Sequence, residues 1–452
     1  MASRAARSYD VVVIGAGPAG EVAASRLPGL GLRTALIERE LVGGECAYWA
    51  CLPSKTLLRP AEVLSEAERA AGTSIPERRW RELVAYRDYM IRNLDDSEQV
   101  AEYREQGVDV YRGEGRIVAE QVVEVDGERL RAPRIVLAAG SAPDIPPIPG
   151  LDEVGFWTNR QATTLAELPE SAIVLGGGPV GIELAQFLHR FGARVTLLDA
   201  AERLLTREEP RVSQIVADAL VGEGIELRLG VEAERAATVA GQRELTLSDG
   251  ARVRARELVV ATGRSPRTDE LGAERAGVRA SPRGIQIDDR CRAGEGVWAI
   301  GDVTGVMPFT HVAMYQGRVV CADIAGATVR ADYAAIPRVV FCDPEVAAVG
   351  LTAAEARERG LDVAGARVAL ADTVTRAWTY ERSPRGELAL LADRNRGVLV
   401  GAWAVAPLAS EWIHYAALAI KMAAPLALLR DTVAQFPTYT EAYLKAIERL
   451  AM

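Results

Sequence analysis

Histidine is scarce in this 452-residue chain, and cysteine is sparse. The few that exist lie far apart in sequence, at His189, His311 and His414 and at Cys46, Cys51, Cys291, Cys321 and Cys342. An odd and scattered set of cysteines does not indicate a structural disulfide framework. Scattered histidines and cysteines also argue against a zinc site of three or four ligands, so no metal site is predicted.

Excess positive charge and long apolar runs are lacking too. The net charge of −9 argues against nucleic acid or an anionic membrane as the main partner. No apolar run reaches the roughly 18 to 20 residues of a membrane-spanning helix. The start, MASRAARSYDVVVIG, leads directly into a strand-like run without the apolar region and cleavage site of a signal peptide. We therefore expect a cytoplasmic protein of roughly two to four domains.

The chain does contain an internal repeat. Residues 9–38 and 172–199 each show an apolar run, a GxGxxG motif, a helix-like stretch and a second apolar run that ends in an acid. The glycines are Gly15, Gly17 and Gly20 in the first copy and Gly176, Gly178 and Gly181 in the second. Glu38 lies 23 residues after Gly15, and Asp199 lies 23 residues after Gly176. Two such motifs at equal spacing predict two dinucleotide-binding folds.

Each position of this motif has a physical reason. The first glycine allows a tight turn, the second lets the backbone approach a pyrophosphate, and the third lets the helix pack closely on the strand. The pyrophosphate then lies at the positive N-terminus of the helix. The closing acid accepts hydrogen bonds from an adenosine ribose.

Three other segments are candidates for cofactor binding. Residues 137–150, with Gly140, and residues 260–271, with Gly263, resemble each other, and each is expected to mark a domain crossing. Gly301 and Asp302 follow the apolar run GVWAI, so Asp302 falls at the carboxyl end of a strand, where open α/β sheets bind ligands.

The rest of the chain divides by its pattern. Residues 55–71 and about 78–106 are predicted to be helical, and residues 108–136 to form short strands. The last hundred or so residues mix strands such as GVLVGAWAV with helices such as EAYLKAIERL. This mixture predicts a separate α+β domain.

Two cysteines stand close together in GGECAYWACLPSK, residues 43–55. Pro53 suits the first turn of a helix, so Cys51 lies where the helix dipole stabilises a thiolate. A straight helix would separate Cys46 and Cys51 by about 7.5 Å along its axis and about 140° around it. A disulfide needs Cα atoms within about 7 Å, so a bonded pair requires a local distortion.

With two dinucleotide folds, this cysteine pair and the PSK that follows it, the chain resembles the FAD-dependent pyridine nucleotide–disulfide oxidoreductases over essentially its whole length. The resemblance implies an α/β protein with two Rossmann-like dinucleotide-binding domains plus a C-terminal α+β dimerisation domain, and hence a homodimer. The implied domains are residues 1–148 and 269–335 for FAD, 149–268 for NAD(P)H and 336–452 for dimerisation.

The resemblance also implies roles for individual residues. Gly15, Gly17, Gly20, Glu38 and Asp302 would bind FAD, with Gly140 and Gly301 nearby. Gly176, Gly178, Gly181 and Asp199, with Gly263, would bind the nicotinamide nucleotide. Asp199 favours NADH because an acid repels the extra phosphate of NADPH, although Arg203 and Arg207 lie nearby and NADPH is not excluded. Lys55 and Glu183 would pair beside the flavin N5, Cys51 would face the flavin, and Cys46 would meet the substrate.

The pattern breaks near the C-terminus. Members of the family usually have a His-Pro-Thr run followed by a glutamate, and this His–Glu pair comes from the partner subunit. Here Phe436 replaces the histidine, while Glu441 is kept. Glu441 is a catalytic candidate, but Thr438-x-x-Glu441 also fits a capping box, and both roles stay open. Substrate-pocket candidates are Trp49, Phe436 and Tyr439; Tyr439, Tyr443 or His414 is a candidate replacement for the base.

Four functions are consistent with these residues. The preferred one is an NAD(P)H-dependent reductase of a small disulfide with a low-pKa aromatic or thione-type leaving thiol, since such a thiol needs no strong acid to leave. The alternatives are direct flavin reduction of a quinone or other small acceptor, or nicotinamide nucleotide transhydrogenation. A flavin-binding structural partner without activity is the least favoured, because both cysteines and both nucleotide motifs are intact.

Overall fold

The structure is a computed structural model that describes residues 6–269 and 271–451. Within these residues the chain forms two compact units, each built from three stretches of sequence. Unit 1 takes in the chain up to Pro53, Ala85–Asp144 and Gly263–Asp332. Unit 2 takes in Ser54–Val84, Ile145–Thr262 and the chain from Tyr333 onward.

The described residues form strands, α-helices and short 3₁₀ helices. The strands are β1 Arg7–Ser8, β2 Val11–Ile14, β3 Thr34–Glu38, β4 Val108–Arg112, β5 Arg116–Ala119, β6 Val122–Val125, β7 Glu128–Arg131, β8 Ile135–Leu137, β9 Ser141–Pro143, β10 Ser171–Leu175, β11 Arg194–Asp199, β12 Glu226–Leu229, β13 Ala233–Val239, β14 Gln242–Leu247, β15 Arg252–Ala255, β16 Glu257–Val260, β17 Arg264–Pro266, β18 Ala280–Ser281, β19 Gly284–Ile285, β20 Arg292–Gly294, β21 Val297–Ala299, β22 Pro337–Val340, β23 Glu345–Gly350, β24 Val363–Ala369, β25 Glu387–Asp393 and β26 Val398–Ala406. The α-helices are α1 Pro18–Arg26, α2 Gly44–Tyr48, α3 Cys51–Arg69, α4 Trp80–Met90, α5 Ser97–Glu105, α6 Leu151–Val154, α7 Asn159–Thr164, α8 Pro179–Arg190, α9 Pro210–Glu223, α10 Thr310–Ile324, α11 Ala353–Glu358, α12 Leu370–Thr373, α13 Thr375–Tyr380, α14 Ala409–Trp412, α15 His414–Lys421, α16 Leu426–Asp431 and α17 Glu441–Glu448. The 3₁₀ helices are Pro28–Leu30, Arg92–Leu94, Ala273–Ala276 and Gly301–Thr304.

Unit 1 is organised around a six-stranded sheet in the order β20-β21-β8-β2-β3-β4. Its central strand β2 pairs in parallel with β3 and β8, and all four of its residues are buried. Val11 and Val13 belong to the same apolar core as α1 and α10. Val12 and Ile14 belong to a second core with β5, β6 and β7. The continuous apolar run is therefore explained by a strand that is covered on both faces.

Unit 2 contains a second sheet of the same type and an antiparallel one. The parallel sheet has the order β12-β11-β10-β16, with α8 between β10 and β11 and α9 between β11 and β12. A three-stranded antiparallel sheet, β13-β14-β15, accompanies it. The C-terminal residues form a five-stranded antiparallel sheet in the order β22-β23-β26-β25-β24. Helices α12–α17 contribute to the core that covers it, so the predicted fold class is confirmed.

The third glycine of each repeated motif lies where no side chain fits. A Cβ at Gly20 would lie 1.9 Å from the carbonyl oxygen of Gly15, and one at Gly181 would lie 1.8 Å from that of Gly176. Contact this short is impossible for non-bonded atoms, so the helix N-terminus approaches the turn only because a side chain is absent. The two copies of the repeat thus share the same close helix–turn packing.

A buried charge network in unit 2 joins α3, α8 and the turn after β22. The Asp343 carboxylate accepts hydrogen bonds from Arg69 Nη1 at 2.7 Å and from Arg190 Nη2 at 2.9 Å. Arg69 Nε also donates to Glu381 at 2.6 Å, and Arg190 Nε donates to Glu223 at 2.9 Å. Burial raises the pKa of Asp343, but the Arg190 and Arg69 guanidinium groups outweigh it and hold the pKa at about 2.

Replacing Asp343 with Asn should lower the free energy of unfolding of unit 2 by about 3 kcal/mol, because two buried arginines lose a shared counter-charge. Its folded-state pKa lies below the ordinary 3.8. The wild-type stabilisation should therefore be complete above about pH 4 and should be lost as the pH falls from about 4 to 2, whereas the variant should lack this step. Urea unfolding between pH 2 and pH 7 measures both effects.

Asp362→Asn is the matched control. Its carboxylate is 63% exposed and pairs with Arg394 at 3.4 Å on the surface, so a change within about 0.5 kcal/mol is expected. Equal effects of the two substitutions would contradict a special role of the buried network.

Candidate functional site

The two cysteines of GGECAYWACLPSK lie on two different helices of the redox segment. Cys46 belongs to the short helix α2, and Cys51 is the first residue of α3. Trp49, between them, has φ −135° and ψ −1°, so the two helices are not continuous. This break is the local distortion that the spacing predicted. Both cysteine side chains are half-buried thiols in unit 1.

Thr310 lies against both sulfur atoms. Its Oγ1 is 3.3 Å from Cys46 Sγ and 3.5 Å from Cys51 Sγ. Thr310 is the first residue of the 15-residue helix α10. No sequence motif points to this residue, because a single threonine 259 residues away from Cys51 carries no pattern that links it to the cysteines. Its neighbour His311, by contrast, is exposed and stacks on Phe309 with ring centroids 5.2 Å apart.

The Cys46 thiol is subject to opposing influences. A hydrogen bond with Cys51 and burial both raise its pKa, and the nearby Glu21 carboxylate adds to the rise. The hydrogen bond from Thr310 lowers the pKa. In this arrangement a thiolate on Cys46 depends on a donor that can compensate for burial.

Lys55 and Glu183 form the ion pair that the resemblance implies. Lys55 Nζ donates to Glu183 Oε2 at 2.6 Å, and Glu183 is largely buried in α8. The other oxygen of Glu183 accepts a hydrogen bond from the backbone N–H of Phe341 at 2.9 Å. The Phe341 ring lies 4.8 Å from the ammonium group. Glu183 is therefore held at both oxygens, and it in turn holds Lys55 in one orientation.

Glu38, the acid that ends the first repeat, is hydrogen-bonded to the glycine turn of the same repeat. Glu38 Oε2 accepts from the backbone N–H of Ala16 at 2.7 Å, and Oε1 accepts from that of Glu40 at 2.8 Å. Burial raises the pKa of Glu38 despite these two donors. Gly15 has φ +101°, which only glycine adopts without strain. A Cβ at Gly17 would meet nothing within 4 Å, so the second glycine leaves open space beside the N-terminus of α1.

The second repeat has the same geometry. Asp199 accepts hydrogen bonds from the backbone N–H groups of Gly177 and Ala201, the latter at 2.7 Å. A Cβ at Gly178 would also meet nothing within 4 Å, at the N-terminus of α8. Open space at a helix N-terminus beside a glycine turn fits a pyrophosphate, and both repeats have such a space.

The Arg203 guanidinium is engaged by hydrogen bonds within unit 2. Its Nη1 donates to the Leu205 and Glu208 carbonyl oxygens at 3.2 and 3.0 Å and to Ser213 Oγ at 2.7 Å. Its Nη2 donates to the carbonyl oxygen of Thr206 at 2.6 Å. Arg207 is exposed.

Asp302 lies at the carboxyl end of β21 in unit 1. It accepts a hydrogen bond from Ser141 Oγ at 2.6 Å, and Ser141 Oγ in turn accepts one from Arg264 Nε at 2.7 Å. Burial raises the pKa of Asp302, although Ser141 and Arg264 act to lower it. Gly301 precedes it with φ +78°.

The two similar segments with Gly140 and Gly263 also meet in unit 1. Strands β9 and β17, which directly follow these glycines, pair antiparallel. The backbone N–H of Asp144 donates to the carbonyl oxygen of Gly263 at 2.9 Å. The chain leaves unit 1 after Asp144 and returns to it at Gly263.

The remaining candidates lie apart from these sites. In unit 2, Phe436 is 61% exposed, whereas Tyr439 is 6% exposed and stacks on Trp412. Tyr443 is buried as well, and its hydroxyl donates to the Trp412 carbonyl oxygen at 3.3 Å. His414 is exposed at the start of α15. In unit 1, Trp49 is half-buried beside Tyr48.

Glu441 makes one half of the capping box. Its Oε2 accepts a hydrogen bond from the backbone N–H of Thr438 at 3.0 Å. The Thr438 hydroxyl donates to the carbonyl oxygen of Gln435 at 2.7 Å, and the box is not completed, because the N-cap of the helix is Thr440 and carries no side-chain cap. The helix itself starts at Glu441, so this carboxylate anchors the turn that carries Phe436.

Comparison with known proteins agrees with this geometry. Residues 9–317 match the family model described as pyridine nucleotide-disulphide oxidoreductase, and residues 336–447 match the dimerisation domain of that family. The chain belongs to the pyridine nucleotide-disulphide oxidoreductase family. It is an FAD-dependent oxidoreductase that uses NAD(P)H, and its dimerisation domain supports a homodimer. Within the described ranges, no helix is long and apolar enough to cross a membrane.

Several characterised proteins are similar over nearly the whole chain. A mercuric reductase from Lysinibacillus sphaericus is 35% identical over 96% of this chain and 81% of its own length. A dihydrolipoyl dehydrogenase from Thermus scotoductus is 33% identical over 98% of both chains. The structure of the HOCl-induced flavoprotein disulfide reductase RclA from Escherichia coli superposes with a TM-score of 0.87 at 27% identity, covering 98% of this chain and 100% of that one.

Two alanine substitutions should separate binding from folding in the second repeat. Gly178→Ala places a methyl group in the open space at the N-terminus of α8, with φ −82° that alanine adopts readily. It should weaken NADH binding by at least about tenfold, or about 1.4 kcal/mol, and leave the unfolding temperature unchanged. Gly181→Ala should instead destabilise the fold by about 2–3 kcal/mol through overpacking.

Isothermal titration with NADH and thermal unfolding of both variants measure these effects. If Gly178→Ala binds NADH as the wild type does, the open space beside α8 is not the pyrophosphate site.

Proposed function

We propose that this protein is an NADH-dependent reductase that transfers reducing equivalents through Cys46 and Cys51 to a small disulfide with a low-pKa leaving thiol. The contact of both sulfurs with Thr310 and the hydrogen bond between the two thiols carry this proposal, because they bring Cys46 and Cys51 together in a family of disulphide oxidoreductases.

The preference for NADH rests on Asp199 and Arg203. Asp199 is fixed by two backbone donors with its carboxylate at the end of β11, where an adenosine ribose is bound in such folds. The Arg203 guanidinium, the nearer of the two candidate phosphate binders in sequence, already makes four internal hydrogen bonds. An acid whose neighbouring arginine is already engaged favours a ribose hydroxyl over a 2′-phosphate.

The residues proposed for FAD fit the group. Gly17 leaves open space at a helix N-terminus, Glu38 places a buried carboxylate at the end of β3, and Asp302 places a half-buried one just after β21. When bound, FAD supplies a two-electron carrier between the nicotinamide and Cys51. Lys55, oriented by Glu183, is the proposed positive charge beside the flavin N5, as the family pattern implies.

The proposed reaction passes two electrons from NADH through the cysteine pair to the substrate disulfide. One NADH gives up a hydride and becomes NAD⁺, and the two electrons break the Cys46–Cys51 bond. The Cys46 thiolate attacks one substrate sulfur, forms a mixed disulfide and releases the first substrate thiolate. The Cys51 thiolate then attacks Cys46 Sγ, releases the second substrate thiolate and restores the bond. In sum, NADH, one disulfide and one proton give NAD⁺ and two thiols.

The leaving-group preference rests on Phe436. A phenyl ring cannot donate a proton to a departing thiolate, and Glu441 is engaged by the Thr438 amide. Positioned acids contribute about 10²–10⁴-fold to such steps. A thiol that leaves as a stable anion does not need this help, because lower leaving-group pKa accelerates exchange.

An anaerobic NADH titration tests the electron path. One equivalent of NADH should reduce the cysteine pair, so that subsequent iodoacetamide labels both Cys46 and Cys51 in mass analysis. In Cys46→Ser, disulfide turnover should fall by at least about 10³-fold because the attacking sulfur is gone, while NADH oxidation by an artificial electron acceptor should persist. Electrons that never reach the cysteines would instead favour a quinone or a second nicotinamide nucleotide as the acceptor.

Phe436→His tests the role of the missing base. The variant should raise kcat/KM for an aliphatic substrate, bis(2-hydroxyethyl) disulfide, by at least about tenfold. It should change kcat/KM for 5,5′-dithiobis(2-nitrobenzoic acid), which releases an aromatic thiolate, by less than about twofold. Phe436→Leu controls for loss of the ring. Equal gains with both substrates, or none with either, would contradict the proposed leaving-group preference.

A further inference from the structure

Thr310 contacts both reacting sulfurs through its hydroxyl group, which is not titratable. We propose that Thr310 is a catalytic residue whose hydroxyl donates its hydrogen bond to whichever of Cys46 and Cys51 carries the negative charge. This role rests on the proposed disulfide chemistry, in which each sulfur is a thiolate at a different step.

The geometry permits this exchange of partner without movement of the backbone. Thr310 Oγ1 is 3.3 Å from one sulfur and 3.5 Å from the other, both within the range of hydrogen bonds to sulfur. A hydroxyl has one proton and turns about its C–O bond. It can therefore serve one sulfur at a time, and a thiolate, as the stronger acceptor, takes the proton.

The need for such a donor arises from burial and from Phe436. Both sulfurs are half-buried, and a buried thiolate is unfavourable unless a donor compensates. Phe436 removes the imidazole that family members usually supply. Thr310 offers a neutral hydrogen bond from the same chain, and its support does not depend on pH.

The position of Thr310 adds a second favourable term. It is the first residue of α10, and Phe309, the preceding N-cap, makes no side-chain cap. The positive end of a 15-residue helix thus lies on the side from which the hydroxyl approaches. Substituting the side chain removes the hydroxyl and leaves the helix dipole in place, so the two effects can be separated.

The Glu21 carboxylate acts in the opposite direction. Glu21 in α1 raises the pKa of Cys46, and burial raises the pKa of Glu21 itself to about 7. Glu45, beside Cys46 on α2, pairs with Arg264 at 3.7 Å. Glu21→Gln should therefore move the titration of Cys46 to lower pH, whereas loss of the Thr310 hydroxyl should move it to higher pH.

The test uses holoenzyme reduced with dithiothreitol and freed of reductant, so it does not depend on NADH. The rate of iodoacetamide labelling is measured from pH 5 to pH 10, and Cys46 and Cys51 are distinguished by fragmentation of the peptide that spans residues 40–55. In Thr310→Val the labelling rate at pH 7 should fall about tenfold at both cysteines, since a hydrogen bond to a charged group is worth at least this factor. Thr310→Ser should retain the wild-type profile.

The labelling profiles of the Thr310 variants support or contradict the role of Thr310 as a shared donor. An unchanged profile in Thr310→Val, or a shift at only one cysteine, overturns a shared donor. If Thr310→Ser behaves as Thr310→Val does, the methyl group rather than the hydroxyl matters, and the proposal fails. Thr310→Ala replaces the valine variant should the latter not fold. Failure of the NADH titration with an intact Thr310 effect would instead overturn the proposed electron path alone.

Discussion

The hydrogen bonds between an acid and the backbone of its own glycine turn are the constraint on which both nucleotide-binding folds depend. Glu38 binds the amide of Ala16, and Asp199 binds the amide of Gly177, in each case 22 residues back along the chain. The bond joins the ends of two neighbouring parallel strands. It also fixes the turn from which α1 or α8 starts, and thereby the open space beside that helix N-terminus. The carboxylate is thus structural as well as a candidate ribose ligand.

The two cysteines are brought together by a break between helices α2 and α3. A continuous helix through residues 44–69 would turn the two sulfurs away from one another, whereas the break at Trp49 ends α2 and lets α3 begin at Cys51. The irregular backbone costs conformational free energy. The contacts that Thr310 and the half-buried surroundings make with the two thiols offset this cost. In unit 2, Lys55 is held by Glu183. Glu183 is in turn fixed by the backbone N–H of Phe341, and the turn after β22 is fixed by the ion pairs of Asp343.

Much of the site was predictable because its signals are local or repeat. The glycine spacing, the closing acids and the cysteine pair can be read within short windows, and the Lys55–Glu183 pair followed from the family resemblance. The helix predicted over residues 78–106 is in fact two helices, Trp80–Met90 and Ser97–Glu105. Between them Arg92, Asn93 and Leu94 adopt positive φ, which is uncommon for non-glycine residues. No local sequence pattern predicts this conformation.

The sequence by itself determined the class of fold, the two glycine-rich repeats, the closely spaced cysteine pair and the absence of histidine at position 436. These follow from period, spacing and residue type, which are properties of neighbouring positions. Only the tertiary structure decided that Thr310 meets Cys46 and Cys51, that Arg203 is engaged by its own loop, and that Tyr439 and Tyr443 lie in the core. Such contacts depend on how distant segments pack, and packing satisfies buried polar groups with whichever donors the fold brings near.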